Sequence, residues 1–190
     1  MKNFTEWKKD AEMKEWFDKR TNRHISLVQK YCKKIAEYDK KRFGGLLERA
    51  KVHDDSKFEE PEYSPYLLIS WQYKCEDEGK EFNPPKDLAD KMAQATLHHV
   101  THNSHHPEYH SPKKSGLINR EDRNKPPKEI VDATSMPDLD IAEMAADWMG
   151  MSEEKGNNPK DWADKNVNIR WKFTDEQTKL IYEIIAGVWA

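Results

Sequence analysis

The sequence predicts an all-α protein with long surface loops. Three observations carry that expectation: apolar residues recur at helical spacing in segment after segment, Gly and Pro pairs punctuate those segments, and no strand-like run is longer than Val167–Trp171. A chain of 190 residues is long enough to bury a core, and residues 1–190 are expected to form one domain. Charged residues make up 35% of the chain and the hydrophobic set 36%, but seven Trp, seven Tyr and six Phe supply bulky core material that disordered chains lack.

Each element follows from local pattern. Residues 23–42 carry Ile25, Val28, Cys32, Ile35 and Ala36 on one helical stripe, and Gly44-Gly45 is read as its stop. Leu46, Leu47, Ala50 and Val52 then make a short helix that delivers His53-Asp54 near its end. The next helix is expected over Glu62 to Lys80, with Tyr63, Tyr66, Leu67, Ile69, Ser70 and Tyr73, and Pro84-Pro85 separates it from another over residues 86–101. From Pro107 to Lys128, Pro, Lys, Ser, Asn and Arg displace apolar residues, which predicts a long surface loop. Pro137 precedes a short helix, Ile141 to Met149, that Gly150 is expected to end. A polar stretch, Glu153 to Asn168, leads to a last helix from Asp175 to Val188, whose Leu180, Ile181, Ile184, Ile185 and Val188 pack on the core. No internal repeat is found.

Composition narrows the class of function. A net charge of −3 argues against general phosphate neutralisation along nucleic acid, so long duplexes are not expected as partners, while nucleotides remain open. Cys32 and Cys75 share no Cys-x-x-Cys spacing, which points away from a disulfide framework and from a zinc ribbon. The N-terminus has no apolar core of signal-peptide length and no stretch approaches a membrane span, so a cytoplasmic protein without membrane partners is expected.

The chemistry-bearing residues fall in the order His24 … His53-Asp54 … a histidine run at 98–106 … Asp147. Imidazole and carboxylate together suit divalent first-row metals, and a carboxylate can bridge two ions where a lone imidazole cannot. His24 shares a helix face with Leu27, Val28 and Tyr31; on its own it would read as a core histidine bonded to a carbonyl. The adjacent His53-Asp54 pair projects two ligand types to neighbouring positions of one ion. Asp147 lies among Ala142, Met144, Ala145, Ala146, Trp148 and Met149, where a carboxylate is costly to bury without a cation or hydrogen bonds. These four make one ligand set. Glu143, one turn before Asp147, suits an acceptor for a ligand imidazole, or it faces water. In the histidine run, His99 and His102 share one helical face and His98 and His102 another, so spacing leaves the ligand among them open. His105-His106 precedes Pro107 and belongs at a helix end or turn. Lys57, three residues beyond Asp54, is a candidate catalytic neighbour, whereas Arg23 beside His24 points elsewhere.

This order resembles the HD-domain superfamily, helical proteins in which His … His-Asp … Asp binds a metal and whose binuclear branches add histidines before the last Asp. His99 with His105-His106 resembles the His … His-His pattern of the cyclic-dinucleotide phosphodiesterases, and His53-Asp54-Asp55-Ser56-Lys57 resembles their His-Asp-x-Gly-Lys. More closely, His53-Asp54-x-Ser56-Lys57-Phe58, His99-x3-Asn103-x-His105-His106-Pro107-Glu108-Tyr109 and Met136-Pro137 … Glu143-Met144-x2-Asp147-Trp148 resemble uncharacterised, often phage- or bacterium-encoded HD-like proteins, over about residues 23–150. The resemblance implies an HD-like helical bundle. It implies His24, His53, Asp54 and Asp147 as ligands of one ion, with Asp54 bridging to a second held by His99, His105 and His106. The chain departs from the phosphodiesterase branch in lacking a Gly-Tyr-Pro motif after the histidine pair and in the short spacing from His99 to His105, so the cyclic-dinucleotide substrate is not carried over.

The expected function is a phosphohydrolase with two divalent ions (Fe, Mn, Co, Zn or Mg), acting on a nucleotide or other small phosphoester through metal-activated water. Lys57 and Asp54 are its candidate catalytic residues, Lys57 neutralising charge that develops on the phosphate. Two rivals share the ligands: a di-iron oxygenase, as in the similar myo-inositol and phosphonate oxygenase branches, and a non-catalytic, metal-stabilised interaction protein.

Overall fold

A computed structural model of the chain describes residues 10–113 and 129–189. Helix α1, Ala11–Tyr38, opens where the Asp10 side chain accepts from Met13 N at 3.2 Å. The stripe expected from residue 23 extends back through Met13, Phe17 and Thr21, so the helix starts well before the sequence reading placed it; charged residues between those positions sit on the solvent face and obscured the period. The stop also differs. Asp39 ends α1 and its side chain caps the next helix, α2 (Lys40–Phe43), so Gly44-Gly45 joins α2 to α3 (Leu46–Arg49) and does not terminate the long helix.

Two 3₁₀ turns follow, Ala50–Val52 and Asp55–Phe58, with His53-Asp54 between them. Helix α4 spans Tyr63–Asp77, α5 Leu88–His102 and α6 Pro107–His110. Helix α6 occupies the start of the expected 107–128 loop; residues 114–128 of that loop lie outside the described residues, as do residues 1–9 of the leader reading. Strand β1 (Val131–Asp132) pairs in parallel with β2 (Trp171–Lys172), Val131 opposite Trp171. Helix α7 is Asp138–Lys155, α8 Pro159–Asn166 and α9 Asp175–Val188. The class is all-α.

Gly150 does not end α7. A Cβ there would lie 3.3 Å from Val28 N and Val28 Cγ2 and 3.4 Å from Leu27 Cβ, so glycine serves the close approach of two helices. The stop falls at Gly156, in the left-handed region at φ 68°. The polar stretch 153–168 likewise holds a helix, α8, opened by Asn158 accepting from Lys160 N and by Pro159. Helix α9 begins at a capping box of Thr174 and Gln177.

Helices α1 and α7 run side by side in the same direction, since His24 meets Asp147, Val28 meets Gly150 and Tyr31 meets Glu153 along them. The larger apolar cluster joins Val28 and Ile35 of α1, Ile141 and Met149 of α7, and Ile181 and Ile184 of α9. A second joins Met13 and Phe17 to Leu67, Leu68 and Leu88. His24, between Phe17 and Val28 on α1, therefore enters the molecule where the two clusters meet. No helix among the described residues is long and apolar enough to cross a membrane.

Candidate metal centre

Asp54 is the centre of the site, and its backbone places it there. It stands at φ 62°, a left-handed conformation that Asp and Asn tolerate best among residues with a Cβ. The following 3₁₀ turn is closed by Lys57 N bonding Asp54 O at 2.9 Å, which brings the Lys57 ammonium onto Asp54 Oδ2. The carboxylate is almost wholly buried.

Its two oxygens face different residues. Oδ2 lies 3.4 Å from His24 Nε2 and 3.7 Å from His53 Nε2, while His24 Nε2 is 3.1 Å from Asp147 Oδ1. Oδ1 lies 3.4 Å from His99 Nε2 and 3.7 Å from His105 Nε2. Donor atoms of His24, His53 and Asp147 gather within 4.8 Å of one another, and those of His99, His105 and His106 do the same. All seven sequence-predicted ligands therefore converge: His24 and His53 face one oxygen of Asp54 and His99 and His105 the other, Asp147 and His106 complete the two donor trios, and His53 and His105 also form a third with Glu143.

The histidine run achieves this by turning sharply. His99 lies on the buried face of α5; Asn103 N returns to His99 O at 3.1 Å and His106 N to Asn103 O at 3.0 Å. Pro107 then starts α6, and the ring centroids of His105 and His106 end 4.2 Å apart, with His106 4.7 Å from His99. His98 and His102 stack on each other at 3.9 Å on the more exposed side of α5, and His110 bonds Ser104 O. None of these three joins either donor group.

The donor chemistry fits divalent cations. Among the described residues, His53 Nε2, Asp54 Oδ1 and His106 Nε2 are buried without a hydrogen-bond partner, a costly state that a bound cation relieves. Burial works against a charged His24, yet its bonds to Asp147 and Asp54 outweigh that and raise its pKa to about 9. The same carboxylates that draw a proton there would draw a metal. Burial depresses His105 to about 3, aided by His53, and holds His106 well below the usual imidazole range, so both rings are neutral and able to bind a metal. Burial would favour protonated Asp147 and Asp54, but His24 beside the first and Lys57 and His53 beside the second keep both ionised, far below the usual carboxylate range.

Behind the donors stands a layer of carboxylates. Glu143 Oε1 meets His53 Nδ1 at 2.9 Å; although burial opposes its charge, His53 and His105 hold its pKa at about 2. Arg49 Nε bonds Glu143 Oε2 at 2.8 Å, and its Nη2 reaches Ser104 Oγ at 2.7 Å and Asp140 Oδ1. Because Glu143 takes up Nδ1, Nε2 is the atom that His53 presents to the centre. The sequence left Glu143 open between this role and a solvent-facing side chain, and gave no sign of Arg49, Asp140 or Glu62. Glu62 and Asp140 are set apart from the chain's many other charges by burial, and Arg49, 31% exposed, by its contacts to Glu143 and Asp140, and both are properties of the folded chain.

The profile of a family of unknown function, DUF5662, matches residues 13–187. No curated protein and no solved structure matches the chain.

Proposed function

The chain belongs to DUF5662, and we propose for it a metal-dependent phosphohydrolase of HD-like type that acts on a nucleotide or other small phosphoester. One observation carries the reading: a single buried carboxylate turns one oxygen to His24 and His53 and the other to His99 and His105, with a lysine ammonium against it. His24, His53 and Asp147 would hold one divalent ion and His99, His105 and His106 a second, with Asp54 between them turning one oxygen to each group.

Ions in such a pair supply an acidified water and a clamp for phosphoryl oxygens. The chain's own residues do the rest. Lys57 and Asp147, 20% and 18% exposed, are the more solvent-accessible members of the centre and would meet an arriving phosphate, whereas His53, Asp54 and His105 are buried. Lys57 neutralises charge that develops on the phosphoryl oxygens, and Asp54 keeps that ammonium in place when no substrate is bound. Burial opposes a charged Lys57, but Asp54 raises its pKa, so it stays protonated.

The test is anaerobic turnover of a nucleotide and phosphoester panel with added Mn²⁺, Mg²⁺ or Co²⁺, scored by release of phosphate or a monophosphate. Lys57→Ala should slow turnover while sparing metal content. Oxygen-dependent turnover by iron-loaded protein, with no hydrolysis across the panel, would overturn the hydrolase in favour of a di-iron oxygenase; loss of both activities would favour a metal-stabilised interaction protein.

A further inference from the structure

We propose that Glu62 is the positioning residue of the His99–His105–His106 half of the centre, holding His99 with Nδ1 protonated and Nε2 free for the ion; the inference rests on the two-ion reading above. Glu62 is fully buried, at 0% exposure. A carboxylate is expensive to bury, and each partner it keeps indicates what the fold uses it for. Glu62 occupies the N-cap position of α4, where a short polar side chain would bond the first backbone N–H groups. It makes no such cap bond.

Its oxygens go elsewhere. Oε2 meets His99 Nδ1 at 2.8 Å and accepts from Ser56 Oγ at 3.0 Å, and Oε1 meets His98 Nδ1 at 2.7 Å. An ionised carboxylate only accepts, so the protons of these contacts lie on the two imidazole Nδ1 atoms and on the Ser56 hydroxyl. With Nδ1 of His99 committed to Glu62, Nε2 is the atom left for an ion, and it lies 3.4 Å from Asp54 Oδ1. Asn103 completes the clamp, since its Nδ2 donates to Ser56 Oγ at 3.0 Å and to His99 O at 2.9 Å. Ser56 belongs to the turn that carries Asp54 and Lys57, so one buried carboxylate couples that turn to the imidazole opposite it.

The arrangement repeats on the other side of Asp54, where Glu143 stands 2.9 Å from His53 Nδ1. Each half of the centre thus has its own carboxylate–imidazole pair, supplied by a different helix. Pairs of this kind set the tautomer and raise the basicity of a ligand ring, and their loss lowers metal affinity by about 10–100-fold.

Glu62→Gln keeps the shape but removes the charge and one acceptor, and Glu62→Asp keeps the charge. Chelator-stripped proteins titrated with Co²⁺, followed by visible absorption and by metal content after gel filtration, read the two sites separately. The wild type should bind two ions. Glu62→Gln should bind the second about 10–100-fold more weakly with the first unchanged, and Glu62→Asp should restore part of that loss. NMR of ¹⁵N-histidine protein without metal should place the His99 proton on Nδ1 in the wild type. A Glu62→Gln protein that binds both ions as the wild type does, or loses both equally, overturns the role of Glu62 while leaving the two-ion reading intact. An Nε2 proton on wild-type His99 also overturns it. A single ion in metal-replete wild type overturns the two-ion reading, and this role with it.

Discussion

Replacing Asp54 by Asn removes one charge from the middle of the centre while keeping the size of the side chain and its tolerance of φ 62°. In the metal-free protein the change leaves Lys57 without its carboxylate. Breaking a buried ion pair by deleting one partner costs about 3–5 kcal/mol, and Lys57 is 20% exposed, so the lower end, about 3 kcal/mol, applies. For a chain of this size that is a fall in melting temperature of about 6–12 °C. Metal adds a second, separable effect. At a free concentration about 100-fold above Kd each ion stabilises the wild type by about 2.7 kcal/mol. Asp54→Asn should lose most of that increment for both ions, because each Asp54 oxygen faces its own donor group. Backbone and charge are told apart by two further variants: Ala at φ 62° costs about 1–2 kcal/mol that Gly avoids, so Asp54→Gly should be more stable than Asp54→Ala although both lack the carboxylate. The assays are thermal melting with and without Co²⁺ and metal content at saturation. An Asp54→Asn protein that retains two ions and the full metal-induced rise in melting temperature would refute a shared carboxylate; one that retains a single ion would assign Asp54 to the other ion alone.

Two more outcomes follow from the packing and electrostatics around the centre. Gly150→Ala gains about 1 kcal/mol of helix propensity but forces a Cβ to 3.3 Å from Val28 N, backbone that cannot rotate aside, at an overpacking cost of about 1–3 kcal/mol. The net should be a lower melting temperature and weaker binding of the ion proposed for His24 and Asp147, and a more stable variant with unchanged Co²⁺ affinity would rule this out. His24, raised to about 9 because its bonds to Asp147 and Asp54 outweigh burial, binds its proton more tightly folded than unfolded. Its contribution is therefore fully present below about pH 6.5 and is lost as pH rises through about 9, so chelator-stripped protein should lose stability to urea across that window and His24→Gln should flatten the loss. An equal slope in both proteins would assign the loss to another group.

Sequence alone determined what depends on local pattern. The period of Ile25, Val28, Cys32 and Ile35, and that of Leu180, Ile181, Ile184 and Val188, made the helices legible, because a 3.6-residue repeat of apolar side chains describes one face whatever packs on it. The candidate ligands came by two routes: an aspartate inside the apolar α7 run is conspicuous before any fold is known, whereas the choice of His99, His105 and His106 came from the resemblance of their order to the HD-domain superfamily. Tertiary structure decided what depends on which groups meet. Gly150 carries the same local signal as a helix stop, and only the approach of α1 shows that it is a contact. His98, His99 and His102 are equivalent by spacing; the packing of α5 beside the Asp54 turn turned His99 inward and left the other two stacked on its more exposed side. Glu62 only opens the helix expected over Glu62 to Lys80, and it became a partner of His99 because the fold removed water from around it and left imidazole and Ser56 hydroxyl protons for its oxygens to accept. Burial and long-range proximity are not properties of a residue or its neighbours in the chain, and for that reason the donors could be named from the sequence while the carboxylates that orient them could not all be.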